Sequence, residues 1–407
     1  MIAGRGRFWL PLALVTLVGT ALRFWWEETH GLIQTGIVTD ARFYHGVANA
    51  IADGAGYVVP GTHMPTADKP PLYPLLLAAE SVVGGDSPHA HRLLGPLLGG
   101  ATIVLIGVLA RRLGGDRVGL LAAALCALDV QLWVIDSQIL SETLYGVLLP
   151  LALLVAYSLY ERPRRSVAAL LGFVLGLAAL TRAEAVIVGL LIAVVLLWRH
   201  RRDAAAPVAI AALVALLTIA PWSIRNWTTF DRPVFLSQQS SENIAGANCR
   251  AAYHGRDTGS WRVDCLRPRA PGQSEPDWAA KLKDDGLTYA GDHIGRVPVV
   301  LLARVGRTWG LYPPMAGFGF TRSEALRESV VAWLLLALAA AGTVVALRRR
   351  VPIAILLVPA ATVTITALTQ FGLLRYRYSA DLAFLVLGAF ALDAALARLR
   401  RERQAIA

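Results

Sequence analysis

A carboxylate can take a proton and a lysine or arginine can hold an anion, and this sequence sets such residues in a few short polar stretches between long apolar ones. The first stretch reads Thr39-Asp40-Ala41-Arg42-Phe43-Tyr44-His45-Gly46-Val47-Ala48. Phe43, Val47, Ala50 and Ile51 recur at helical spacing, which puts Asp40 at the cap or first turn of an amphipathic helix lying on a membrane, ended by Gly54 and Gly56. On residue type alone Asp40 reads as an N-cap. The second stretch is Thr66-Ala67-Asp68-Lys69-Pro70-Pro71-Leu72-Tyr73-Pro74. Its paired prolines fix the backbone and present Lys69 at the start of another helix. The positive end of a helix repels a lysine, whereas an anionic ligand there is attracted by both. Further candidates are Asp136 and Glu142, the corner Thr181-Arg182-Ala183-Glu184, Arg225, and the run Arg375-Tyr376-Arg377-Tyr378.

The elements that must position these residues are membrane helices. Of the 407 residues, 56% are hydrophobic and 16% charged, whereas a soluble domain carries about a quarter charged residues. Apolar runs near 8–26, 93–111, 117–135, 142–160, 166–181, 183–198, 204–224, 328–347, 351–370 and 379–398 have the length that crosses ~30 Å of hydrocarbon as a helix. The expected fold is therefore an all-α polytopic bundle of about ten transmembrane helices. The excess of 39 Lys+Arg over 28 Asp+Glu lies between those runs and is a topology signal rather than a nucleic-acid footprint. Met1 to Trp26 has a basic start but no small-residue cleavage site, so it reads as a retained first span. Treating 71–85 as a helix on or dipping into the outer face makes six basic clusters cytoplasmic: Arg5 and Arg7, Arg111 to Arg117, Arg162 to Arg165, Arg199 to Arg202, Arg348 to Arg350, and Arg398 to Arg403. The loop 27–92, the segment 136–142, the corner at Arg182, the stretch 225–327 and the Arg375 corner then share the outer face.

In this order, with four agreeing stretches at Asp136-Ser137-Gln138-Ile139-Leu140-Ser141-Glu142, Leu180-Thr181-Arg182-Ala183-Glu184, Ala220-Pro221-Trp222-Ser223-Ile224-Arg225-Asn226-Trp227 and Arg375-Tyr376-Arg377-Tyr378, the chain resembles the GT-C glycosyltransferases. The resemblance is to the branch of protein O-mannosyltransferases, aminoarabinose lipid A transferases and Rgt-type enzymes. It implies a GT-C-like bundle with membrane-lying helices in the first outer loop. It also implies a catalytic module over 1–224, an extracytoplasmic loop over 225–327, and C-terminal spans and a basic tail over 328–407; within that loop the segment 292–312 is apolar on one side with Arg296, Arg304 and Arg307 on the other, and reads as a further membrane-lying helix. The donor it implies is a polyprenyl-phosphate-linked sugar, with Asp40 as base and Lys69 on the lipid phosphate. Glu142 or Asp136 would shape the acceptor side. Where many relatives have a second carboxylate, this chain has Ala41, which speaks against a metal-binding version. No cofactor is expected.

Transfer from such a donor to a hydroxyl needs one carboxylate to take the acceptor proton and cations for the departing phosphate, and a single displacement inverts the anomeric carbon. Lys69, Arg225, Arg375 and Arg377 are the candidate phosphate ligands, and Tyr44, Asp136, Glu142, Arg182 and Glu184 the residues that shape the site or the acceptor. For Arg225 and Arg377, attraction to anionic headgroups is an equal account. Between Ser237 and Gly246, Gln238, Gln239 and Asn243 can hydrogen-bond sugar hydroxyls, and Trp261 or Trp278 can stack on a pyranose; an ordinary exposed loop is the alternative. Of three cysteines, Cys249 and Cys265 fall outside, as a bridge or as two thiols. The eight histidines show no metal-ligand spacing. The short basic cytoplasmic loops lack phosphate-cradling glycines, which argues for a lipid-linked rather than a nucleotide sugar. The expected setting is a bacterial plasma membrane with the site facing outside, and the acceptor a cell-envelope glycan, lipid or protein. A secondary transporter, which would show repeats and midplane charges, and a non-catalytic binder of lipid-linked sugar are the alternatives.

Overall fold

In a computed structural model, residues 6–34, 39–312 and 322–406 are described. Arg5 of the first basic cluster and residues 313–321 of the outer stretch lie outside them. The chain is helical almost throughout: α1 Gly6–Gln34, α2 Thr39–Ala52, α3 Leu72–Val82, α4 Pro88–Gly114, α5 Asp116–Leu128, α6 Val130–Asp136, α7 Ser141–Glu161, α8 Arg165–Thr181, α9 Ala185–His200, α10 Ala205–Thr229, α11 Gln239–Ala247, α12 Arg250–Tyr253, α13 Glu275–Asp292, α14 Val297–Thr308, α15 Arg322–Arg348, α16 Ala354–Thr369 and α17 Tyr378–Ile406. Among the described residues the sole β pairing is an isolated bridge of Val58 with Pro65. Every apolar run read from the sequence is helical, and six helical segments, or seven with a bent pair counted as one, have the length and apolarity to cross a membrane. This is an integral multi-pass membrane protein.

The basic clusters at 111–117 and 348–350 meet at one end of the bundle. Arg112 pairs with Glu161 at 3.0 Å, Arg349 and Arg117 converge on Asp393 at 2.8 and 3.4 Å, and the Arg111 guanidinium lies 4.1 Å from the Phe8 ring centroid. α3 is 11 residues long, too short for ~30 Å of hydrocarbon, and packs against α2 on the side of the first loop. A reporter fused after Asp86 is accordingly expected to read as extracytoplasmic, and one after Gly114 as cytoplasmic. The reverse result at Asp86 would make α3 a span.

The run at 117–135 is not the single straight helix expected. It breaks at Asp129 into α5 and α6, bent by 59°. Asp129 is extended and its side chain caps α6, accepting from the amides of Gln131 and Leu132 at 2.9 and 3.3 Å. A break frees carbonyls that hydrocarbon cannot satisfy. Arg23 takes them up: its guanidinium donates to the carbonyls of Cys126 at 2.9 Å and Ala127 at 3.3 Å, and its Nε to Asp136 Oδ2 at 2.7 Å. Arg23 is 1% exposed and lies inside the bundle. α4 can approach this pair because it carries glycines: a Cβ at Gly95 would lie 1.8 Å from the Asp136 carbonyl oxygen, and one at Gly99 2.6 Å from Arg23 Nε.

Residues 237–312 fold as a small helical cap. Cys249 and Cys265 are bridged within it. The helix expected near 292–312 is shorter, a turn at Ile294–Arg296 followed by α14, and the arginines of α14 do not face headgroups. Arg304 and Arg307 are buried, donating to the carbonyl of Ala247 at 2.8 Å and of Thr258 at 2.7 Å, while Leu302 and Val299 point outward. Carbonyls left bare by the irregular cap need donors more than the surface needs cations.

Candidate active site

The first loop is tied down before it presents anything. Tyr57 donates its hydroxyl to the Lys69 carbonyl at 2.9 Å, and the Arg225 guanidinium donates to the carbonyls of Tyr57 and Thr66, each at 2.8 Å, while stacking over Trp222 at 5.0 Å. The Tyr57 ring meets Trp222 edge-on at 4.8 Å. The Gly-x-Gly-Tyr turn and the Arg225 stretch thus fix the segment Thr66–Pro71, and Lys69 projects from it two residues ahead of Pro71, the residue that caps α3. Lys69 is 5% exposed, and its ammonium lies 5.6 and 5.8 Å from the ring centroids of Phe43 and Tyr44 on α2.

From Lys69 an alternating ladder of charge crosses four parts of the chain. Lys69 Nζ meets Asp40 Oδ1 at 2.9 Å, and Arg375 Nη2 meets Asp40 Oδ2 at 2.8 Å. Arg375 Nε reaches Glu142 Oε1 at 2.6 Å, Arg182 Nη1 reaches Glu142 Oε2 at 2.9 Å, and Arg182 Nε meets Glu184 at 3.3 Å. Each carboxylate in the middle of the ladder is held by two cations. Local structure explains the positions. Asp40 is in the first turn of α2 and Glu142 in the first turn of α7; Arg182 is the extended residue ending α8, and Arg375 sits in the turn that starts α17. Tyr44 donates to Ser141 Oγ at 3.1 Å, joining α2 to the start of α7.

The ladder forms part of the wall of a cavity of about 730 Å³. The cap contributes Ser237, Gln239, Asn243 and Trp261 to the same cavity, while α16 adds Thr366. Burial would raise the Asp40 carboxyl, but the neighbouring charges of Lys69 and Arg375 outweigh it and hold Asp40 far below the usual carboxylate range. Burial would lower Lys69; the charges of Asp40 and Asp68 instead push it well above the ordinary lysine value. Asp40 and Lys69 are therefore fully charged at neutral pH.

Of the residues singled out in the sequence, Asp40, Tyr44, Lys69, Glu142, Arg182, Glu184 and Arg375 come together here. Three do not. Arg225 braces the first loop through backbone carbonyls. Arg377, 1% exposed, bonds to Asp381 at 2.6 Å, and Asp136 is paired to Arg23 behind α6. Trp278 also lies away from the cavity wall and donates to the Arg267 carbonyl. Reading by motif passed over Glu242 and Asp68, both on the wall; the signal for Glu242 was an acid between Gln239 and Asn243, one turn into a polar helix. Among the described residues, Glu27, Glu28 and His89 could gather around a metal, but Glu27 already pairs with Arg92 at 2.7 Å and none of the three lines the cavity.

Residues 68–224 match the family described as dolichyl-phosphate-mannose-protein mannosyltransferase. Among solved structures, the apo oligosaccharyltransferase of Archaeoglobus fulgidus aligns over 99% of this chain and 52% of its own, with 16% identity and a TM-score of 0.58. The same enzyme tethered to an acceptor peptide containing the NVT sequon aligns over 98% and 51%, with 14% identity and a TM-score of 0.56. ArnT from Cupriavidus metallidurans bound to undecaprenyl phosphate aligns over 96% and 78%, with 14% identity and a TM-score of 0.47. The chain spans about half the length of the oligosaccharyltransferase. No curated protein matches the sequence. The fold is that of the GT-C membrane glycosyltransferases, as the motifs of the sequence had implied.

Proposed function

We propose, from that fold and from the charge ladder on its cavity wall, that this chain is an inverting glycosyltransferase that moves a sugar from a polyprenyl-phosphate donor to a hydroxyl acceptor at the extracytoplasmic face of a bacterial plasma membrane. The observation that carries the reading is Asp40, a carboxylate on a cavity large enough for a sugar, flanked by two cations able to receive a phosphate. The acceptor oxygen attacks the anomeric carbon while the bond to the phosphate oxygen breaks. The acceptor proton passes to Asp40 and the phosphate leaves with the electron pair as a stable anion, so no strong general acid is needed. With Lys69 and Arg375 both on it, Asp40 is a poor base. The donor phosphate competes for the same two cations, and each one drawn toward it makes Asp40 more basic as the charge to be stabilised arrives. Glu142 and Arg182 keep Arg375 aimed, and the cap residues Gln239, Asn243 and Trp261 suit sugar hydroxyls and a pyranose face. The working parts then include Arg375 of the 328–407 segment along with the 1–224 module.

The test is transfer by purified protein from a polyprenyl-phosphate sugar, mannose first because of the matching family, against the nucleotide sugar. Turnover from the nucleotide sugar without polyprenol would refute the donor assignment. Binding of the lipid-linked sugar without turnover toward any hydroxyl acceptor would make the chain a carrier instead. Lys69→Ala deletes a charge-assisted contact worth about 1.5–3 kcal/mol, so the donor KM is expected to rise by ten- to a hundredfold or so with the acceptor KM little changed. Unchanged donor dependence in this variant would remove Lys69 from the site.

A further inference from the structure

The start of α11 is fastened to the segment that carries Lys69. The Gln238 amide donates to the Ala67 carbonyl at 2.9 Å and the Gln239 amide to the Asp68 carbonyl at 3.1 Å. From α13, Glu275 Oε1 accepts from the Ala67 amide at 2.8 Å. These bonds fix Glu242, one turn into α11 and on the cavity wall, beside Asp68 and Lys69. The local charge is lopsided. Asp40 on α2, Asp68 on the loop, Glu242 on α11 and Glu275 on α13 gather near the Lys69 ammonium, which lies 3.7 Å from Asp68 Oδ2, while Arg375 holds the far side of Asp40 and the charges of Arg225 and Arg269 act on Glu275. Asp68 Oδ1 is buried without a hydrogen-bond partner, an acceptor that a neutral carboxyl group can satisfy. Burial, and next the Asp68 charge, push the Glu242 carboxyl up to about 8; Lys69 draws it down, and Glu275 and Asp40 raise it further.

We propose that Glu242 is a positioning residue of the donor site: it and Asp68 hold one proton between them, so that a donor phosphate on Lys69 faces one negative charge from this pair and not two. The inference rests on the reading of Lys69 as the phosphate ligand. Ionisation of Glu242 sets a second charge against the phosphate and strengthens the hold of the acids on Lys69. Donor affinity therefore falls as pH rises through the titration of Glu242, and by reciprocity a bound phosphate pushes that titration higher. Neither of the other groups at the contact titrates in the same window. Lys69 is held protonated well above its ordinary value, and the second ionisation of a phosphate monoester lies near 6.

The probe is undecaprenyl phosphate, bound to the full-length protein in lipid nanodiscs from pH 6.5 to 9.5. Wild-type affinity is expected to fall about tenfold between neutral and alkaline pH. Glu242→Gln keeps a hydrogen-bond donor but cannot ionise, and its profile is expected to be flat. Asp68→Asn removes the charge that raises Glu242, so the fall moves to lower pH. A flat wild-type profile, a Gln variant that falls in step with wild type, or no shift in the Asn variant overturns the proposal. A Lys69→Met protein that binds the probe undiminished overturns the donor-site reading and this inference with it; one that loses binding leaves the Glu242 profiles to decide.

Discussion

Asp40→Asn is expected to lower sugar transfer by about 10²- to 10⁴-fold, the usual worth of a general base, while the protein remains folded and inserted. The amide fills the same space and can still accept from Lys69, which reaches Asp40 at 2.9 Å, but it takes no proton. Polyprenyl phosphate should still bind to this variant, since the change removes a negative charge from beside both cations. The pairing of intact binding with lost turnover separates a base from a helix cap, whose role an asparagine fills as well. Near-normal turnover would remove Asp40 from the chemistry.

The second large effect lies away from the cavity. Arg23→Met strips the Asp136 carboxylate of its 2.7 Å partner and returns the Cys126 and Ala127 carbonyls to a dry interior. Removing one member of a buried pair costs about 3–5 kcal/mol, so a large drop in the detergent melting temperature is expected. Replacing both partners, as Arg23→Met with Asp136→Leu, should recover much of the charge penalty but not the carbonyl contacts. A single variant that melts like wild type would show that the α5–α6 break holds without Arg23. Because α6 leads through Ser137 and Gln138 into Ser141 and Glu142, the ladder inherits its position from this clamp.

The helices were legible because hydrocarbon thickness imposes a length, and the site was legible where a residue type is costly unless it does something. Asp40, Lys69, Glu142, Arg182 and Arg375 are charges at the mouth of apolar helices, and they do converge. Arg225, Arg304 and Arg307 have the same residue type but serve the backbone, since their acceptors are carbonyls of irregular segments, which no side-chain pattern announces. Asp129 was invisible for a related reason, since one aspartate in an apolar run reads the same whether it caps a broken helix or lies along a straight one. Glu242 was hidden because the acid and lysine it answers to, Asp68 and Lys69, lie in the first loop and only the folded cap brings them beside it.

The ladder also bears on how the protein is made. Asp40 and Arg375 are 335 residues apart, and Glu142 and Arg375 are 233 apart, so the membrane receives both acids long before the ribosome supplies the arginine that joins them. Until α17 is threaded, Glu142 has Arg182 alone and Asp40 has Lys69 alone. Insertion of α17 therefore completes the wall of the cavity, and a chain released short of it leaves Asp40 and Glu142 each with one cation in place of two.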